Sequence, residues 1–209
     1  MQRYDDIMFT SAVKALQQVD GTAETYARSY GARTHALNED EVAFITSRTS
    51  FYMATVSETG WPYIQHRGGP AGFLKVLDDH TLGFADYRGN RQHISEGNLA
   101  GDDRVSLFLM DYPRKARMKL QGRARFEPAA GNPELAAQLA AEGQGRVERL
   151  ATISLDAFDW NCPQFITPRF DTAELTALVA PEIERLETEN TRLVNELAVL
   201  RAQLERRET

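Results

Sequence analysis

The chain has 209 residues, 42% of them apolar and 26% charged, and a net charge of −6. That composition suits one globular domain, with or without an appendage, and excludes a wholly disordered chain. No apolar run nears the roughly 20 residues of a membrane helix, the start lacks the basic-then-apolar pattern of a signal peptide, and the single cysteine, Cys162, excludes an intrachain disulfide.

A cytoplasmic protein is therefore expected, with Cys162 as a buried, inert thiol. The charge is unevenly spread. Residues 61–126 carry 11 bases and 7 acids, while every other stretch is acidic. A positive middle in a negative chain points to a local anionic ligand and away from nucleic acid spread over the whole surface.

In chain order, Ala12, Val13, Leu16 and Val19 recur at helical spacing and Gly21 ends the run. A second short helix is predicted over 22–30. Asn38 and Glu41 have the spacing of a capping box, and a helix follows to about residue 48. From Phe51 the period changes to two. The run FYMATVSETGWPYIQHR reads as a hairpin around a turn at 57–60. GFLKVL, TLGFADY, RVSLFLMDY, RMKLQGRARF and ATISLDAFDW read as further strands, the pattern of an antiparallel barrel. Between the last two, Asn132 and Pro133 open a helix over 133–141.

The tail carries a heptad seam. Ile183, Asn190, Leu197 and Leu204 occupy a positions, with Leu186, Leu193 and Leu200 at d. A single Asn at an a position suits a parallel, two-stranded coiled coil, and Glu196 at g can pair with Arg201 at e across the chains. A basic-zipper reading fails, because the residues before the seam are net acidic. The organisation expected is a helical segment at 1–37, a barrel at 38–170 and a coiled-coil helix at 171–209.

Much familiar chemistry has no motif here. His35, His66, His80 and His93 have no metal-ligand spacing, and nucleophile elbow, P-loop and GxGxxG are all missing. What stands out is a basic, glycine-punctuated constellation. Gln65 to Gly69 end a strand, and two glycines after Arg67 admit a close neighbour, either a ligand or a second backbone. Lys75 lies in the next strand. Arg88, Asn90, Arg91 and Gln92 sit at a strand-to-helix turn, where exposed amides and guanidinium groups suit a phosphate.

The runs FYMATVSETGWPYIQHRGG, FLKVLDDHTLGFADYRGNRQHISEGN and DDRVSLFLMDYPRKARMKLQGRARF, in that order, resemble the pyridoxamine 5′-phosphate oxidase-like FMN-binding split barrels. The segment WNCPQFITPRF is similar to the C-terminal part of one branch. The resemblance spans about 38–170. It implies a mainly β, α+β fold: a six-stranded antiparallel split β-barrel flanked by helices. It also implies a homodimer with two FMN molecules in its interface. Arg67, Lys75 and the Asn90-Arg91-Gln92 turn would hold the FMN phosphate. Phe84, Ala85 and Asp86 would lie along the flavin ring, with Gln65 or His66 polarising it. Trp160, Asn161 and Gln164 of the partner subunit would cover it, and Lys119 or Arg117 would stabilise the reduced anion. Gln92 stands where the oxidases proper carry Lys, and Met118 where they carry Gln, so their substrate is not implied.

The function expected is an FMN-dependent oxidoreductase acting on a small organic molecule, with NADH or NADPH as candidate donors and no catalytic side chain of its own assigned. The alternatives are a non-catalytic flavin-binding or redox-sensing protein and a haem-handling protein using His66 or His93. No metal, nucleic acid or membrane is expected.

Overall fold

The computed structural model describes residues 1–31, 36–160 and 162–207 in two compact units, Met1–Ile166 and Thr167–Thr209. His35 and Asn161 lie outside the described residues. In the first unit, α1 (Tyr4–Met8), α2 (Ser11–Val19), α3 (Ala23–Gly31) and α4 (Glu39–Thr46) precede the sheet. The capping box that opens α4 is present. Asn38 Oδ1 accepts from Asp40 and Glu41 N–H, and Glu41 Oε2 accepts from Asn38 N–H.

The strands are β1 (Ser50–Val56), β2 (Pro62–Gly68), β3 (Lys75–Asp78), β4 (Thr81–Tyr87), β5 (Arg104–Asp111), β6 (Ala116–Pro128) and β7 (Val147–Trp160). All seven periodic runs form strands. The count of six implied by the resemblance is exceeded because β3 adds a four-residue edge. The order is β2-β1-β5-β6-β7-β4-β3, antiparallel throughout, and the sheet does not close. Alternation sets the faces. Phe51 and Met53 of β1, Leu107 and Leu109 of β5, and Leu120 of β6 are fully or almost fully buried, while their neighbours in sequence are not.

Strand β4 breaks that alternation and is buried on both faces. The cause is α6 (Pro133–Leu139), whose start is capped by Asn132 accepting from Leu135 N–H. It lays Leu139, which is wholly buried, beside Gly83, where an added Cβ would stand 2.8 Å from Leu139 Cδ2. Helix α5 (Ile94–Gly101) follows β4 and is tied to β1 by Asn98 donating to Thr55 Oγ1 at 2.9 Å. At the far end of β7, Gln2 N–H donates to Asp156 carbonyl, and Tyr4 and Tyr30 pack with Ala157.

The second unit is dominated by one helix, α7 (Thr172–Glu205), which begins earlier than the heptads because Asp171 and Glu174 form a capping box. Pro181 sits inside it. The seam side chains Ile183, Leu186, Leu193, Leu197, Leu200 and Leu204 are all exposed. Glu196 pairs within its own helix, with Arg192 at 2.6 Å, instead of being left for Arg201.

The β6–β7 ladder slips between Gln121 and Gly122. At Gly122 a Cβ would press on the Ser154 carbonyl oxygen and lie 3.2 Å from Leu155 Cα, backbone atoms that cannot rotate away. Overpacking costs about 1–3 kcal/mol. Gly122→Ala should therefore lower the melting temperature by several degrees, at about 2–4 °C per kcal/mol for a chain of this size. An unchanged thermal unfolding curve would contradict this packing.

Candidate functional site

Paired residues of neighbouring strands share a face, so Tyr63, Gln65 and Arg67 of β2 point inward with Thr55, Met53 and Phe51 of β1. Strand β2 is one edge of the sheet, and β4 lies next to the other edge. Across the split between them Arg67 Nη1 meets Asp86 Oδ1 at 2.6 Å. The other carboxylate oxygen, Asp86 Oδ2, accepts from Arg149 Nε at 2.9 Å and Nη2 at 2.5 Å. Asp86 and Arg149 are register partners on β4 and β7, so their pairing follows from the ladder. Arg149 also reaches Glu96 and His93, and His93 Nδ1 lies 2.6 Å from Glu96. Phe126 lies beneath both guanidinium groups, 5.6 Å from Arg67 and 5.7 Å from Arg149.

This network walls a cavity of about 170 Å³. The turn after β4 forms its other side. Arg91 and His93 there take left-handed backbone conformations, with φ of 58° and 55°. Gln92 N–H donates to Asn90 Oδ1. The start of α5, which has no side-chain cap, presents Ile94, Ser95 and Glu96 to the cavity. Ser95 Oγ donates to Gln65 Oε1 at 2.8 Å and fixes that amide. Arg91 Nη2 pairs with Glu148 at 2.8 Å. The hydrogen bond from Arg91, with the charges of Arg91, Arg88 and Arg149 nearby, holds the Glu148 carboxyl below the usual carboxylate range. A lowered folded-state pKa means this pair is intact through the ordinary carboxylate range and above, and is lost only as pH falls beneath it.

Among the expected site residues, Gln65, Arg67, Asp86, Asn90, Arg91 and Gln92 line this one cavity. His66, Phe84 and Ala85 line an adjoining cavity of about 250 Å³ that shares Arg67, Asp86 and Tyr87 with the first. Lys75, on β3 opposite Gly83, lines neither of these two cavities. The glycines after Arg67 line the second of these cavities, and at Gly69 a Cβ would also stand 2.7 Å from Phe73 Cβ.

Trp160 closes β7, eleven residues from Arg149, on the order of 35 Å of strand. Its indole N–H donates to Glu41 at 2.7 Å and its ring packs edge-on against Phe44. Lys119 is taken by Asp159 at 3.1 Å and lies over the Tyr4 ring. Gln164 is exposed, and so is Cys162, against the expectation of a buried thiol. The Cys162 segment follows the last strand and forms no core element, which explains its exposure. Asp78, Asp79 and His80 cluster on the exposed β3–β4 turn, a grouping no motif announced.

Arg149, Glu96 and Phe126 are site residues that the motifs did not single out, and His93 was named only as a ligand in the haem-handling alternative. Arg149 had one available signal, the ladder opposite Asp86, which requires β7 to begin at Val147 instead of Ala151.

An open antiparallel sheet bridged between β2 and β4 over an arginine-lined cavity defines a split-barrel protein. The pyridoxamine 5′-phosphate oxidase family profile matches residues 37–155, and the chain belongs to that family. No curated protein sequence matches the chain. Among solved structures, HupZ of Group A Streptococcus is 16% identical, covering 64% of this chain and 99% of its own, with a TM-score of 0.50, a likeness of fold. An FMN-binding protein from Syntrophomonas wolfei (8% identity, 69% and 97% covered, TM-score 0.41) and general stress protein 26 from Bacillus anthracis (13%, 56% and 88%, TM-score 0.43) are also similar.

Asp86 is the anion shared by two nearly buried cations. Removing one partner of a buried ion pair costs about 3–5 kcal/mol. Asp86→Ala should lower stability to chemical denaturant by about 3 kcal/mol. Arg91→Ala, at an exposed pair, should leave the denaturation midpoint nearly unchanged. Equal losses in the two variants would contradict the network.

Proposed function

We propose that the chain is an FMN-dependent oxidoreductase acting on a small organic molecule, with the flavin phosphate bound in the arginine-lined cavity. The observation that carries this reading is Arg67. Its Nε is buried and has no hydrogen-bond partner among the described residues, although Nη1 is held by Asp86. A buried donor left unmade costs about 1–3 kcal/mol, so an acceptor belongs beside it. Family membership fits the same reading.

Arg67, Arg91, Asn90 and Gln92 hold the phosphate, with the uncapped amides of α5 adding donors. His66, Phe84 and Ala85 then lie toward the ring, in the adjoining cavity. FMN, when bound, supplies hydride transfer at its N5 atom, which requires no nucleophile or metal from the protein. The residues here position the flavin, exclude water and fix charge. Gln65, locked by Ser95, can present its amide N–H₂ to the flavin while its oxygen is occupied. NADH or NADPH is the proposed electron donor.

The phosphate cavity alone falls below the roughly 300 Å³ that encloses a whole drug-sized ligand, so the ring extends into the adjoining cavity. A homodimer in which a second copy covers the site is part of this proposal. The outward face of β1 and β2 leaves Tyr52, Val56 and Ile64 exposed, an apolar surface for that copy. Within one chain Trp160 is far from Arg149 along the strand. We propose that Trp160, Asn161 and Gln164 cover the ring from the partner subunit. The exposed heptad stripe of α7 supports pairing of the tails as a parallel coiled coil. It also favours a second reading, a flavin-binding redox sensor whose output is the coil.

Purified protein should carry a yellow flavin that bleaches anaerobically on adding NADH or NADPH. A flavin reducible by dithionite but by neither nucleotide would favour the sensor reading. Loss of one charge-assisted contact weakens binding roughly ten- to a hundredfold. Arg91→Ala should raise the FMN dissociation constant by that factor in a fluorescence titration, and an unchanged constant would refute the phosphate assignment. A chain ending at Phe170 should retain FMN but melt at lower temperature in a concentration-dependent way. Loss of flavin from such a chain, still folded and dimeric, would assign the tail to the site.

A further inference from the structure

A third cavity, of about 860 Å³, adjoins the phosphate site on the far side of the turn after β4. Arg91, His93, Glu96 and Arg149 line both cavities, so the two meet along those side chains. The larger one adds Arg88 from the β4–α5 turn and Arg146 from the approach to β7. Its arginines outnumber its carboxylates. Glu148 is engaged by Arg91 and Glu96 by Arg149. Among the described residues, Arg88 and Arg146 make no ion pair and no side-chain hydrogen bond, and both are exposed. The rest of the wall is mostly apolar, built from Pro128, Ala129, Ala130 and Val147 with Gly145 and the polar Gln144.

Two exposed guanidinium groups with no ion-pair partner among the described residues, beside a mostly apolar wall, suit an anionic group attached to an apolar or aromatic body. We infer that this cavity is a second anion subsite, taking a phosphate or carboxylate group beyond the one held at Arg67 and Arg91. The inference builds on the flavin reading of the neighbouring cavity. The anion has two chemical sources. It belongs either to the cofactor itself, as the second phosphate of a flavin dinucleotide whose nucleoside lies on the apolar wall, or to a separate anionic substrate. Arg91 and Arg149 face both cavities, which suits a continuous chain of anionic groups passing between them.

The test uses the full-length protein and the double variant Arg88→Ala, Arg146→Ala. Both side chains are exposed and outside the network around Asp86, so the fold should survive, checked by melting temperature. Three ligands are titrated: FMN, FAD, and inorganic pyrophosphate onto the FMN-loaded protein. The double variant should bind FMN within about twofold of the parent and lose roughly tenfold or more in affinity for at least one of the other two probes. FAD binding tighter than FMN in the parent, with the excess lost in the variant, assigns the subsite to the cofactor tail. Equal FMN and FAD affinities, with pyrophosphate binding lost in the variant, assign it to a separate anionic substrate. Unchanged FAD and pyrophosphate binding overturns the subsite. A parent that binds no FMN refutes the flavin reading instead, and pyrophosphate on the unloaded protein then decides the subsite by the same criterion.

Discussion

One carboxylate ties one edge of the sheet to the strand beside the other edge. Strands β2 and β4 are separated by four strands along the ladder, yet Asp86 binds Arg67 from the first and Arg149 from β7 beside the second. Hydrogen bonding closes a full barrel. In an open one, something else must hold the edges. Here it is an ion network packed on Phe126, sheltered enough to resist screening. The same network leaves Arg67 Nε without a partner among the described residues, the buried donor on which the proposed anion site rests.

The rest of the first unit is arranged around that end. Helix α5 is docked by Asn98 on Thr55 and by Ser95 on Gln65, which aims its uncapped first turn at the cavity. Helix α6 covers the outer face of β4, so the strand that carries Asp86 is packed from both sides and cannot breathe easily. The N-terminal helices and Trp160 are gathered at the other end of β7, where Tyr4, Tyr30 and Glu41 satisfy them. Stability and chemistry thus occupy opposite ends of one long strand.

What was legible in the sequence was local. The capping box at Asn38 and Glu41, the hairpin about residues 57–60 and the heptads of α7 each depend on residues a few positions apart. That Asn90, Arg91 and Gln92 share one turn at the cavity was legible for the same reason, because they are neighbours. Arg149 was not, because its role depends on lying opposite Asp86, 63 residues away, in a strand that opens with the unpatterned Val-Glu-Arg. The GFLKVL run becomes strand only from Lys75, after a turn at Gly72 with φ of 83°, and Lys75 lines neither of the two cavities at Arg67. Cys162 looked like a core thiol because residue type was the only guide to its burial.

The most direct measurement compares FMN with riboflavin, which has the same ring and lacks the phosphate, by fluorescence titration of the full-length protein. If the cavity at Arg67 and Arg91 is a phosphate site, FMN should bind at least roughly a hundredfold more tightly, the worth of two charge-assisted contacts at the low end of their range. Riboflavin binding as tightly as FMN would contradict it, and the arginine network would then serve only to hold the edges of the sheet.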